Sequence, residues 1–426
     1  MQEDFLQYLW KHKKLDTSNL QTTNGEQVVI SNVGTHNHNT GPDFFNGQLT
    51  IANQLWAGNI EIHIKSSDWY VHNHEVDPNY DNVILHVVWE HDTEVFRKDN
   101  TQIPTIVLKD YVSKTALHNY HKLFNSKQTW INCDHTIGAV SPFTVTNWLE
   151  RLFFERLERK AKEMEGVLDQ SNNDWEAVLF KLLAKNFGLK INGDSFLSLA
   201  NSFDFSVVRK QQSNLQSLEA LFFGQANLLA GDVQEGYYQT LQKDYGFLKQ
   251  KFSLDNSSVT PFQFFRLRPP NFPTIRLSQL AMVYHVHHNL FSKVIASKNI
   301  ADIYNIFSVS TTVFWETHYT FEKESKASKK QITKAFIDLL LINTIIPLKF
   351  CYAKQQGKSI EADIVKLMTQ LKPEKNSIVN KFKTLKVVSE SALQSQAVLQ
   401  LKNNYCDKNR CLKCAIGNSV LTQKEI

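Results

Sequence analysis

Residues 59–65 read Asn-Ile-Glu-Ile-His-Ile-Lys, and this unbroken alternation constrains the chain more than any other stretch. A strand repeats every two residues, so Ile60, Ile62 and Ile64 point to one side and Glu61, His63 and Lys65 to the other. The first face suits a core. The second lines up a carboxylate, an imidazole and an amine, with about 7 Å between neighbours. Residues 48–51 suit a partner strand, and Ala57-Gly58-Asn59 reads as the hairpin turn joining the two. Asp43 follows Gly41-Pro42 just ahead of that partner. Two carboxylates carried by a strand and its hairpin neighbour can hold one divalent cation through oxygen.

Six of the fifteen histidines fall in this same region: His36, His38, His63, His72, His74 and His86. Imidazole is both a metal ligand and an acid or base near neutral pH, so the concentration points to metal or phosphate chemistry. A bland account stands beside it. Pro-Asp is ordinary turn chemistry, and Glu61, His63 and Lys65 would equally form the wet face of an antiparallel sheet. His86 sits inside residues 83–89, a nearly continuous apolar strand expected to be buried on both faces, where a hydrogen-bonded core histidine is the simpler reading.

Gly-Pro-Asp-Phe at 41–44, a hairpin, and then Ile-Glu-Ile-His-Ile-Lys at 60–65 resemble the core of the PD-(D/E)XK nuclease superfamily. In that superfamily an Asp opens one strand and a Glu-X-Lys motif lies on the next. The resemblance implies Mg²⁺ or Mn²⁺ held by Asp43, Glu61 and the backbone carbonyl of Ile62. His63 occupies the lysine position, a departure from the motif, and Lys65 on the same face can substitute. The acid that the superfamily adds on a preceding helix corresponds to Glu3. The implied activity is hydrolysis of phosphodiester bonds in DNA or RNA. The whole chain also resembles a bacterial family that carries only a domain-of-unknown-function label, which implies no activity.

The rest of the chain frames this region. Glu3 opens a short amphipathic helix with Phe5, Leu6, Leu9 and Trp10 on one side, and further strands are expected at residues 27–31 and 105–108. From residue 114 the periodicity turns helical and stays so, with a long helix starting at Ser141-Pro142. The expected class is therefore α+β: a small N-terminal α/β nuclease-like domain at 1–113, a large all-α region at 114–404, and a cysteine-containing tail at 405–426. Residues 264–281 hold three prolines among Arg266, Arg268 and Arg276. A rigid loop of guanidinium groups suits phosphate, or equally locks one domain against another through carboxylates. Helix resumes after Pro273 and continues through His285-Val286-His287-His288.

Cys406, Cys411 and Cys414 offer three thiolates at C-x4-C-x2-C spacing. Zinc or an iron–sulfur cluster wants a fourth ligand, for which Cys133 is preferred over Cys351 in its apolar run. Charge is uneven: residues 326–424 carry 18 Lys/Arg against 6 Asp/Glu, +12 in a chain of net +5, so the remainder is −7. Such a basic quarter suits a polyanion or is simply a solvated helical surface. The longest apolar run, residues 335–351, is broken by Asp338, Asn343, Pro347 and Lys349, and no membrane helix is expected. No signal segment opens the chain, and the cytoplasm is the expected compartment. Nucleic acid is the expected partner; no protein partner is specified. Two other functions remain open: a non-catalytic nucleic-acid or protein-binding scaffold with a degenerate nuclease core, and a small-molecule zinc hydrolase using His36, His38, His63 and His86.

Overall fold

Phe5, Leu6, Leu9 and Trp10 recur at helical spacing, and all four are buried on one side of α1 (Glu3–Lys11). Glu3 and Asp4 occupy its first turn, where the helix dipole favours acids. The computed structural model describes residues 1–124 and 129–423. It divides into two compact units, one made of Met1–Leu149 with Asn380–Val388 and the chain from Leu399 onward, the other of Glu150–Val379 with Ser389–Val398. The protein is α+β, with a mixed sheet near its N-terminus and a largely helical remainder.

The sheet of the first unit has six strands. They are β1 (Val28–Asn32), β2 (Thr35–His36), β3 (Phe44–Ile51), β4 (Gln54–Lys65), β5 (Val83–Glu90) and β6 (Thr105–Val107), in the order β1-β3-β4-β5-β6 with β2 beside β3. β1, β3 and β4 are antiparallel, whereas β5 and β6 run parallel to β4. β5 is buried from Val83 to Val88, as its continuous apolar run requires between two covered faces. α1 packs against β4.

The hairpin turn does not lie at Ala57-Gly58-Asn59. It lies at Ala52-Asn53, where both residues take positive φ (48° and 65°), and β4 begins at Gln54. A two-residue turn of this hand matches the strand twist, and Asn tolerates the left-handed conformation. Gly58 is instead inside β4, needed for close approach. A Cβ there would stand 2.6 Å from the Asn82 carbonyl oxygen and 2.5 Å from Ile84 Cγ2. Gly58→Ala is therefore expected to cost about 2 kcal/mol through forced separation of β4 and β5, read as a lower melting temperature.

The first unit runs on to Leu149 rather than ending near residue 113, and the tail belongs to it rather than standing apart. The reason is packing between α3 (Lys114–Phe124) and the C-terminal helix Ala415–Thr422. Asn119 Nδ2 donates to the carbonyls of Val420, Leu421 and Gln423, which the helix end leaves without partners.

The second unit is helical apart from a two-stranded ribbon, His318–Thr320 with Lys323–Glu324. Asp174 caps Trp175–Phe187 by accepting from the N–H groups of Glu176 and Ala177. The helix Pro273–Val286 begins at its proline, and it stops before His287 and His288. Lys334–Gln355 is one helical run of 22 residues, long and apolar enough to cross a membrane by length and composition, with 67% of its most apolar window buried inside the fold. Pro347 does not end it. Proline lacks the N–H that would reach the Asn343 carbonyl, the ladder widens to a π-turn over Leu341–Ile345, and Lys160 Nζ donates to that carbonyl at 3.1 Å.

The basic quarter is not one surface. Lys349 Nζ donates to the carbonyls of Val294, Ile295 and Ser297, Lys330 Nζ donates to the Glu316 carbonyl, and Lys402 pairs with Asp407. Lys424, at its end, lies outside the described residues. Arg276 is likewise no phosphate ligand: it is 6% exposed, donates to Gln279 Oε1 and Asn271 Oδ1, and lies over the Phe336 ring. Burial pulls its pKa down to about 10. Arg266 and Arg268 are exposed, Arg266 at a positive φ of 62° beside the exposed Phe265.

Candidate metal centre

β4 outruns its partner, and the site is built on that overhang. β3 starts at Phe44, opposite Ile60, so the N–H groups of Ile62 and Ile64 have no β3 carbonyl to meet. Carboxylates take the place of strand. Ile62 N–H donates to Asp43 Oδ2 at 3.2 Å, and Ile64 N–H donates to Glu3. Asp43 N–H donates in turn to Glu61 Oε2 at 3.0 Å, and Gln7 Nε2 from α1 donates to Asp43 Oδ1 at 2.8 Å. Glu3, Asp43 and Glu61 thus converge from a helix, the head of one strand and the body of its antiparallel neighbour. Ile62 meets Asp43 through its N–H.

Period-two alternation puts His63 on the Glu61 side, and both are buried, at 1% and 5% exposure. Lys65 is exposed at the strand end and stands outside this buried group. After β4 the chain turns over α2 (Asp68–Val71), secured by Asp92, which accepts from the Ser66 and Ser67 hydroxyls and the Ser67 N–H. This returns His72 and His74 to the strand. His72 Nδ1 lies 3.2 Å from His63 Nε2, and Tyr80 stacks on the His74 ring at 3.7 Å. The ligand atoms of His63, His72 and His74 all lie within 4.8 Å of one another, the one such group among the described residues. Glu61 Oε1 is 3.4 Å from His63 Nε2 and 3.5 Å from His74 Nε2. Glu61 therefore faces Asp43 with one oxygen and the imidazoles with the other.

Burial disfavours the charged forms of Asp43, Glu61, His63 and His74. Burial, then the Glu61 charge, pushes Asp43 up to about 7, against the opposing hydrogen bonds from Gln7 and Ile62. Burial and the Glu3 charge push Glu61 up to about 8, and burial raises Glu3 as well. Burial and the neighbouring imidazoles pull His63 down to about 2; burial lowers His74. The Glu61–histidine contacts are therefore meetings of neutral groups rather than ion pairs. Neutral imidazoles and carboxyls poised to lose protons are what a divalent cation binds, with proton release.

His86, fully buried, stands behind the site with Nε2 2.9 Å from His63 Nδ1, and burial takes it to about 3. From there it can fix the orientation and tautomer of the His63 ring. His36 and His38 do not join the tight triplet. Their rings meet at a tilt of 54°, His36 stacks on Phe44, and burial lowers His36 to about 4, with His38, Lys11 and Lys413 adding to the shift. Sequence reasoning counts His72 and His74 among the concentrated histidines but gives neither a role in the site, and it does not single out Gln7. The H-x-H spacing was the available signal, but it lies in an irregular segment whose path only the fold determines.

Cys133, Cys406, Cys411 and Cys414 line one pocket, and Cys351 is elsewhere, in the apolar core with Sγ against the Ala161 carbonyl. No curated protein and no solved structure matches the chain. The match to a protein family covers residues 3–377, and by it the chain belongs to the family described as protein of unknown function (DUF2851).

Proposed function

We propose that this centre hydrolyses phosphodiester bonds in DNA or RNA with a divalent cation, in the manner implied by the resemblance to PD-(D/E)XK nucleases. The observation that carries the reading is the convergence of Glu3, Asp43 and Glu61 at the β4 overhang, next to three clustered imidazoles. The donor set fits a cation on its chemistry: carboxylate oxygens suit Mg²⁺ or Mn²⁺, and imidazoles suit Mn²⁺ or Zn²⁺. Such an ion supplies a polarised phosphate and a bound water of lowered pKa. Asp43 and Glu61 give up their protons to bind it, and Gln7 and the Ile62 N–H keep Asp43 in place. His63 offers a lone pair and no charge, so it does not replace the lysine of the motif electrostatically. Tyr80 and Trp69 pack around His74 and exclude water from that side. Exposed Lys381, Lys383, Lys386, Lys408 and Arg410, in the same unit, are available for backbone phosphates.

A second reading is favoured by the histidine triplet: a zinc hydrolase of small phosphoesters using His63, His72, His74 and Glu61. One set of measurements separates them. Purified protein is expected to cleave DNA or RNA with Mn²⁺ or Mg²⁺, and His72→Ala to weaken Mn²⁺ binding at least tenfold. Stoichiometric zinc with cleavage of small phosphodiesters alone would favour the second reading. No cleavage with any of the three ions would end the first.

A further inference from the structure

The C-terminal turn and the segment before the long helix Pro142–Gln170 meet at a second cluster of soft ligands. Cys133, Cys406, Cys411 and Cys414 line one pocket, with Ile137, Leu401 and Ile416 making its apolar wall. Local structure explains the convergence of the last three. A π-turn ends at Cys406, Asn409 takes a positive φ of 51°, a 3-10 turn covers Cys411–Lys413, and Cys414 is the N-cap of Ala415–Thr422. Gly417 permits the close fit, because a Cβ there would stand 2.2 Å from the Cys411 carbonyl oxygen. Cys133 comes from far upstream, its carbonyl fixed by the N–H groups of Thr136 and Ile137.

The sulfurs are met by donors. Asn132 Nδ2 lies 3.5 Å from Cys411 Sγ, and the N–H groups of Ile416 and Gly417 and the Trp148 indole act on Cys414. Donors aimed at sulfur are the arrangement that stabilises metal-bound thiolate.

Thiolate is the soft donor that zinc and iron–sulfur clusters take, and four of them complete the ligand set of either. Cluster iron is further tuned by hydrogen bonds to its sulfurs, and the donors aimed at Cys411 and Cys414 supply these. We propose that Cys133, Cys406, Cys411 and Cys414 ligate an iron–sulfur cluster that ties the C-terminus into the sheet-bearing unit. The 3-10 turn of Cys411 also packs on α1, where Asp4 faces Lys413, so the cluster braces the helix that carries Glu3 and Gln7.

The full chain purified without oxygen, with iron, acid-labile sulfide and zinc quantified, tests this. Iron and sulfide in matching, near-stoichiometric amounts with a brown colour are expected, lost in Cys406→Ser and kept in Cys351→Ser. Stoichiometric zinc without sulfide overturns the cluster, as does absence of both metals or retention of full iron by Cys406→Ser. Should Cys406→Ser fail to fold, the metal content of the unaltered chain decides alone. The colour separates this site from the Asp43–Glu61 centre, whose Mg²⁺ or Mn²⁺ is exchangeable and colourless.

Discussion

Asp43→Asn is expected to reduce Mn²⁺- or Mg²⁺-dependent cleavage at least 10²–10³-fold, about the scale of removing one preorganised electrostatic group from an active site. The same substitution should leave the melting temperature unchanged or raise it. Asparagine keeps an acceptor for the Ile62 N–H or for Gln7, and it removes a carboxyl that burial and Glu61 hold in its neutral form up to about pH 7. Loss of activity with retained stability is the signature of a ligand, whereas loss of both would mark Asp43 as a structural cap. Cleavage at the unaltered rate by Asp43→Asn would remove the site assignment altogether.

Glu61→Gln is expected to stabilise the cation-free protein at alkaline pH and to have little effect under acid conditions. The Glu61 carboxyl ionises near its ordinary value of 4.5 in the unfolded chain and near 8 in the folded one. Between those values the folded protein binds a proton that the unfolded chain does not, so stability falls as pH rises through the window. The penalty is small near pH 5 and reaches about 4 kcal/mol by pH 8, because each pH step across that window costs about 1.36 kcal/mol. Glutamine removes it. Melting temperatures of both forms in chelator, from pH 5 to 8, should diverge as pH rises. Added Mn²⁺ should then restore the unaltered protein far more than Glu61→Gln. Parallel curves in chelator would mean that Glu61 is held as an anion by groups other than a cation.

Much of the centre was legible because strand periodicity is a local property. Alternation at residues 59–65 by itself puts Glu61 and His63 on one face, and Gly41-Pro42 by itself sets Asp43 ahead of a strand. The meeting of Glu3 with the strand carries no local signal, since a helix and a strand far apart in the chain share none. The Arg276 reading failed for the opposite reason: three arginines among prolines look alike in sequence, and burial decides which of them meets solvent.

The sequence alone determined the class α+β, the strand that carries Glu61 and His63, and the break to helix near residue 114, all through hydrophobic period. Tertiary structure alone decided where the hairpin turned, because Gly58 is required by the approach of β5 and not by a turn. It alone returned His72 and His74 to His63 through an irregular segment that no periodicity describes. It also divided the basic quarter into lysines that satisfy buried carbonyls and lysines that face water. A charge count cannot make that division, because a lysine's role depends on which carbonyls the fold leaves without an N–H.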